Sequence, residues 1–472
     1  MNKVTRIYYS IVRKGYRGDC MTKRHLINVL HIRDKKRKSV IYFIEKVRHP
    51  DGTIQKNIIT ETDPKYTYYL TNKENWIKDN EVPVNFIEKN KVHPISVPYD
   101  NLLESIYTNL GFSYHEVKNN AYNSLRDIYA KSNVHLADLN LVDYKIREYL
   151  ERYKNELDVI PLEKVFMDIE VDIYDYDEFP HAEIAPCKVC LTSYFDDKTK
   201  VLTGMILYDE TNASQQEFLT KILDNPQYSE ALRKEYFPDA SDLVIEVFFD
   251  EVELIKFIFA KINIEKPDFV LGWNFYFDVK TLEVRLEKLL PEYNRIHKTK
   301  LTKESIMCGK EFIPLVHIED DTFNTEINKK KAKLNIASAS QYVDMKYCYA
   351  TIRTGMGKKD SWSLDAIAFE ELDTTKTELD GTIKTAIRKN FERFFIYSMT
   401  DSYLLWQIDL KTKDIDLLYN MSVVTFTQFI KVMTKTTSLR NLAAKILDDE
   451  GYVLSNNRTR FNKFEKKKFK GA

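Results

Sequence analysis

The run Val165-Phe166-Met167-Asp168-Ile169-Glu170-Val171 carries two carboxylates through an otherwise apolar stretch. Such a run of branched and aromatic residues reads as a strand buried in a sheet. Residues two apart in a strand project from one face, so Asp168 and Glu170 point together while Val165, Met167, Ile169 and Val171 fill the other side. Like charges packed side by side in low dielectric raise each other's pKa, and a divalent cation is the usual way to reverse that. A surface pair is the competing reading, because Asp-x-Glu recurs at Asp79/Glu81 and Asp448/Glu450. The rest of the chain decides between them.

The 472 residues are 43% hydrophobic and 30% charged, enough for a sizeable core and for two or three domains. Tyrosine (30) and phenylalanine (26) are abundant, whereas glycine (12) and proline (13) are scarce, which suits a packed enzyme and excludes a linker-rich scaffold. Lys+Arg and Asp+Glu balance at 71 each, so any basic surface is local. The five cysteines, Cys20, Cys187, Cys190, Cys308 and Cys348, make no even framework and point to a reducing cytoplasm. No signal-peptide apolar core and no run of about 18 apolar residues is present, so a soluble intracellular protein without membrane contact is expected.

Along the chain, Arg6–Val12 and Val40–Ile44 alternate as strands, and Asp51-Gly52 signals a hairpin. The basic run Arg33–Lys38 between strand-like segments reads as a solvated hairpin tip or as a phosphate contact. Short helices are expected over Thr71–Asn80 and Asn101–Gly111, and an amphipathic helix over Leu141–Leu157. Beyond the carboxylate strand comes an acidic loop, Asp172–Glu178, then strands at Cys187–Phe195 and Val201–Tyr208. Cys187-x-x-Cys190 has no second Cys-x-x-Cys to complete a zinc site, which leaves the pair as structural strand cysteines. Gln215–Tyr236 looks helical, Leu243–Phe249 a further strand and Glu251–Ile262 a helix.

Pro267–Asp278 forms a second constellation: a buried strand at Phe269–Leu271, a tight end at Gly272, then Asn274 and Asp278 at the start of an amphipathic helix. Strand-to-helix junctions of this kind carry chemistry in α/β folds, although Asn and Asp also simply cap helices. In the third constellation, the helical pattern of Asn390–Leu410, Tyr397 and Asp401 are four apart and share a face. Leu404, Leu405 and Ile408 continue the apolar side, which puts Asp401 at its margin; a surface cap or ion pair is the alternative. The Thr354–Lys358 loop lacks full phosphate-loop spacing and reads as a basic loop or as an inert turn.

Asp-x-Glu on a strand, Asn-x-x-Phe-Asp at a turn and Tyr-x-x-x-Asp on a helix, in this order, resemble the three motifs of the 3′-to-5′ proofreading exonuclease of family B DNA polymerases. This is the tyrosine variant of the ribonuclease-H-like DEDD superfamily. Gly272-Trp273-Asn274, Tyr342-Val-Asp344, Ser363-Leu-Asp365 and Gln407-Ile-Asp409 resemble the T-even-type phage branch. The interval from Asn274 to Asp278 is a residue shorter than in many members. The resemblance implies an α/β fold: a ribonuclease-H-like mixed-sheet exonuclease domain flanked by helices at 163–414, a smaller α+β N-terminal domain at 1–162, and a helical return with a basic lead-in at 415–472.

The same resemblance implies that Asp168, Glu170, Asp278 and Asp401 hold two Mg²⁺ or Mn²⁺ ions about 4 Å apart. Tyr397 would then orient the attacking water, and Asn274 would help position the terminal nucleotides. Trp273, Phe275 and Tyr276 would separate and stack the frayed bases, with core packing the alternative for the three aromatics, and Lys358 would lie near the single-stranded DNA. Residues 294–335 occupy the place of the branch's strand-transferring β-hairpin. No Asp-x-x-Ser-Leu-Tyr-Pro-Ser or Tyr-x-Asp-Thr-Asp run is present. The expectation is therefore a split polymerase, or a shortened piece of one, that edits 3′ ends of primer-template DNA in a phage-infected host cytoplasm. Its partners would be a separately encoded palm, fingers and thumb subunit and replication accessory proteins. A catalytically silent subunit completing a polymerase and a free-standing DEDD RNA exonuclease are the alternatives.

Overall fold

The computed structural model describes residues 22–77, 84–111, 133–176, 178, 180–225, 227–320, 332–353, 355, 359, 361–375, 379 and 382–456. The Arg6–Val12 strand, Lys358 and the basic stretch after Asn456 lie outside the described residues. Two compact units are present, Met1–Ile160 with Tyr419–Ala472, and Pro161–Leu418.

The first unit opens with an antiparallel sheet of β1 (Lys23–Arg33), β2 (Ser39–Arg48) and β3 (Ile54–Thr62). Asp34 turns the β1–β2 connection by accepting the Lys36 and Lys38 amides at 2.8 and 2.7 Å, leaving the lysines of the tip exposed. There follow β4 (Lys65–Thr71), β5 (Phe86–Glu88), β6 (Val92–Pro98), α1 (Leu102–Asn109), β7 (Val134–His135) and α2 (Leu141–Arg152). A core of Val29, Ile41, Tyr66, Tyr68, Ile106 and Val134 lies between these elements. The short helix expected over Thr71–Asn80 is corrected. Thr71 still belongs to β4, its N–H bonded to Asn133 O, and a single 3₁₀ turn at Lys73–Asn75 follows. Trp76 Nε1 donates to Thr71 O at 2.8 Å and closes that turn, so the alternating tyrosines prevail over local helix preference.

In the second unit a six-stranded mixed sheet runs in the order β11-β10-β9-β8-β12-β15. Its strands are β8 (Lys164–Val171), β9 (Val189–Asp196), β10 (Val201–Leu207), β11 (Asp242–Phe248), β12 (Phe269–Gly272) and, after the hairpin strands β13 (Val316–Glu319) and β14 (Lys333–Ile336), β15 (Gln341–Asp344). β8 pairs antiparallel with β9 and parallel with β12, so the carboxylate strand is central. The helices are α3 (Ala213–Asp224), α4 (Tyr228–Tyr236), α5 (Glu251–Glu265), α6 (Phe275–His297), α7 (Lys303–Met307), α8 (Met345–Ile352), α9 (Leu364–Leu372), α10 (Ile383–Lys389), α11 (Phe391–Thr412) and α12 (Asp414–Val424). From Tyr419 on the chain belongs to the first unit again, with α13 (Phe429–Val432), α14 (Lys435–Asp449) and β16 (Tyr452–Leu454), and β16 pairs with β5 there. Among the described residues no helix is long and apolar enough to cross a membrane.

α11 lies against β8, β9 and β10 because Gly204 on β10 lets it in. A Cβ at Gly204 would meet the Phe395 ring at 2.5 Å and Met399 Sδ at 3.1 Å. Trp406 extends the contact, its Nε1 donating to Asp197 Oδ1 at 2.8 Å and its ring packing on Phe195. An apolar strand face and an apolar helix stripe thereby carry their acidic positions toward each other.

Candidate metal centre

Asp168 and Glu170 interrupt the buried pattern of β8 as half-buried positions, while every neighbour from Lys164 to Val171 is buried. Asp401 reaches them from α11 and is itself buried, at 5% exposure. One carboxylate oxygen from each of Asp168, Glu170 and Asp401 lies within 4.8 Å of the other two. The backbone of Glu170 is held from the far side, where Cys190 Sγ donates to its carbonyl at 3.4 Å. Cys187 and Cys190 are both buried free thiols, and neither belongs to this cluster.

Asp278 comes from the other edge of β8. The β12 ladder stops at Leu271–Phe166, and beyond it the Ile169 N–H donates to Asp278 Oδ1 at 3.3 Å. Asp278 is 3% exposed. Burial first, and then the neighbouring Asp168 carboxylate, hold its pKa well above the ordinary carboxylate value. Its position follows from the turn before it. Gly272 leaves room for the Phe275 ring, which a Cβ there would meet at 2.1 Å. Asn274 takes the left-handed conformation, φ +60°, that starts α6. Its N–H donates to Asp344 Oδ1 at 3.2 Å, and the same oxygen accepts the Lys346 N–H at 2.9 Å, so one side chain ties the ends of β12 and β15 together. Burial pushes Asp344 up to about 6 against the pull of Lys346 and these amides.

The remaining expected residues divide. Tyr397 is half-buried on α11, one turn before Asp401. Asn274 is exposed and lines a polar recess of about 190 Å³ with Tyr276, Asp320, Asp344, Lys346 and Tyr347. Phe275 is corrected: at 0% exposure its ring is core, stacked toward Tyr342, and presents no face to a base. Trp273 is 8% exposed with Nε1 donating to Trp362 O at 3.1 Å, a packed residue as well. Tyr276 is the aromatic that this turn leaves partly open, its hydroxyl donating to Glu183 at 3.0 Å. Asp344, Lys164 and Asp409 were not singled out from the sequence as site residues. A signal was there in Asp409, a charge beside the largely apolar run Leu404–Ile408, and in Lys164, at the head of the run that carries Asp168.

The cluster offers oxygen donors alone, which favours a hard divalent ion such as Mg²⁺ or Mn²⁺ over zinc. Burial first, and then repulsion from Asp168, raise the pKa of Asp278, and a cation placed among these groups offsets both. The residues present therefore fit such an ion. Paired carboxylates on a central strand, a third from the helix packed on the sheet and a fourth from a strand-to-helix turn form one acidic centre. Residues 143–367 match the family model described as DNA polymerase family B, exonuclease domain. The chain is also 21% identical over 334 residues to the DNA-directed DNA polymerase of Escherichia phage RB69, a match spanning 69% of this chain and 34% of that protein. Residues 143–367 are thus similar to a family B DNA polymerase exonuclease domain, and the chain spans about a third of the length of its phage relative. The family match contains Asp168, Glu170 and Asp278 but ends before Tyr397 and Asp401; Asp401 joins the cluster by its geometry, and Tyr397 lies one turn before it on α11.

Proposed function

We propose that this domain, of ribonuclease-H-like type, is a 3′-to-5′ proofreading exonuclease that hydrolyses terminal nucleotides from DNA for a family B polymerase in the host cytoplasm. The observation that carries the reading is the approach of Asp168, Glu170 and Asp401 to within 4.8 Å of one another from a strand and a helix. With Asp278 they would hold two Mg²⁺ or Mn²⁺ ions. Bound there, the ions supply a water of lowered pKa and charge neutralisation at the departing 3′ oxygen.

The chain's own groups do the rest. Tyr397, one turn from Asp401, orients the attacking water together with Glu170. Asn274 lines the polar recess with Asp344 and Lys346 and positions the last nucleotides there, a role supported by its exposure. Palm, fingers and thumb, separately encoded in this reading, and accessory proteins are the partners. The β13–β14 hairpin is proposed to guide the primer strand.

Degradation of 5′-labelled single-stranded DNA with Mg²⁺ tests the reading. Wild type is expected to give a ladder shortening from the 3′ end, and Asp168→Ala and Asp401→Ala to lose at least about 10³ of the rate. Equal inertness of wild type and variants would leave the silent, structural subunit in its place. Preference for an RNA strand would favour the RNA-processing alternative.

A further inference from the structure

At the start of β8, Lys164 is buried and its Nζ donates to Asp409 Oδ2 at 2.6 Å and to Asp416 Oδ2 at 2.5 Å. Lys164, Phe166, Asp168 and Glu170 share one strand face by their period of two. Asp401, Leu405 and Asp409 follow one side of α11 at spacings of four. From Lys164 to Asp168 the strand covers about 13 Å. From Asp409 back to Asp401 the helix covers about 12 Å. Once Lys164 grips Asp409, the antiparallel run of strand and helix therefore brings Asp401 level with Asp168 to within about 1 Å. Phe166 and Leu405, both completely buried, fill the interval.

The other end of the helix is pinned as well. Arg388, just before α11, bonds Asp172 at 2.8 Å and Asp209 at 2.6 Å, and Asp172 directly follows β8. Burial pushes Asp209 up, but the Arg388 and Thr211 hydrogen bonds overcome it and hold the carboxylate well below its usual range. At the Lys164 end the balance differs between the partners. Burial outweighs Lys164 and pushes Asp409 up to about 6, whereas Asp409 and Asp416 outweigh burial and raise Lys164. The geometry of the pair, which joins the head of β8 to the last turn of α11, is what suits a register role.

We propose that Lys164 and Asp409 are positioning residues that lock the register of α11 on β8 and so set the approach of Asp401 to Asp168 and Glu170. The proposal rests on the metal-centre reading above. Neither residue touches DNA or the reacting atoms, and both act through the carboxylates they align.

The test is Mn²⁺ binding by isothermal titration, without DNA, alongside thermal unfolding. The variants are Lys164→Met/Asp409→Leu, Asp409→Glu and Asp416→Asn. The double variant removes both charges at once, so no unpaired charge stays buried, and it is expected to fold with wild-type or higher Tm. Its Mn²⁺ affinity is nevertheless expected to fall at least about tenfold, as for other groups that orient metal ligands. Asp409→Glu keeps the pair with one more methylene and should recover part of the affinity, whereas Asp416→Asn should stay near wild type. Asp401→Ala separates the two readings. If it binds Mn²⁺ as wild type does, the metal centre itself fails. If it loses Mn²⁺ while the folded double variant binds normally, the register lock is overturned, and so it is if every variant lacking the pair fails to fold.

Discussion

Replacing Gly272 by alanine tests how the turn that delivers Asp278 is built. The new Cβ would stand 2.1 Å from Phe275 Cδ2, 2.6 Å from Cγ and 2.8 Å from Cε2. Unbonded carbons settle at about 3.5–4.0 Å, so the ring must retreat by about 1.4 Å. It has nowhere to go, being 0% exposed. Gly272 does not lie in the left-handed region, so the ring alone demands glycine there. Overpacking costs about 1–3 kcal/mol, and a ring enclosed on all sides puts this case near about 3 kcal/mol. Phe275→Ala removes the obstacle at its own cost of about 3–5 kcal/mol. In that background Gly272→Ala should cost less than about 0.5 kcal/mol, which gives a coupling of about 3 kcal/mol in a double-mutant cycle followed by urea unfolding. Equal cost of Gly272→Ala in both backgrounds would refute the account of the turn.

Asn274→Gly should hold stability within about 1 kcal/mol, because glycine accepts φ +60° without strain. The same change should raise KM for the 3′ end while leaving the urea midpoint nearly unmoved. Asn274→Ala should destabilise by about 1–2 kcal/mol, since its Cβ is penalised in that conformation. Asp409 links stability to pH. Its folded pKa of about 6 stands above its ordinary 3.8, so the folded state keeps a proton that the unfolded chain has released. Its contribution therefore declines as pH rises from about 4 to about 6, by about 3 kcal/mol in all. The Tm of Asp409→Asn relative to wild type, by calorimetry, should rise across that window; a flat difference would refute the assigned cause.

Local chemistry was legible in the chain. The alternation around Asp168 and Glu170 set them on one face of a strand, and β8 spans Lys164–Val171 as that pattern requires. The glycine, asparagine and leucine sequence from Gly272 onward announced a strand, a turn and a helix, and these are β12 and α6. Tyr397 and Asp401 were placed on one helix, and α11 carries both. The helix expected after Thr71 failed because a cross-strand partner at Asn133, far along the chain, kept that residue in the sheet.

What the chain by itself determined is the side of each element on which a functional residue stands, because backbone period depends on near neighbours alone. Which elements face each other was decided by packing between segments more than 100 residues apart. Gly204 admits α11 to the sheet, and Lys164 and Asp409 meet beneath it. The end of the β12 ladder leaves the Ile169 amide for Asp278. Packing toward Tyr342 made Phe275, a candidate DNA platform, part of the core. The contacts between distant segments also brought Asp168, Glu170 and Asp401 to within 4.8 Å, a proximity that no local pattern encodes.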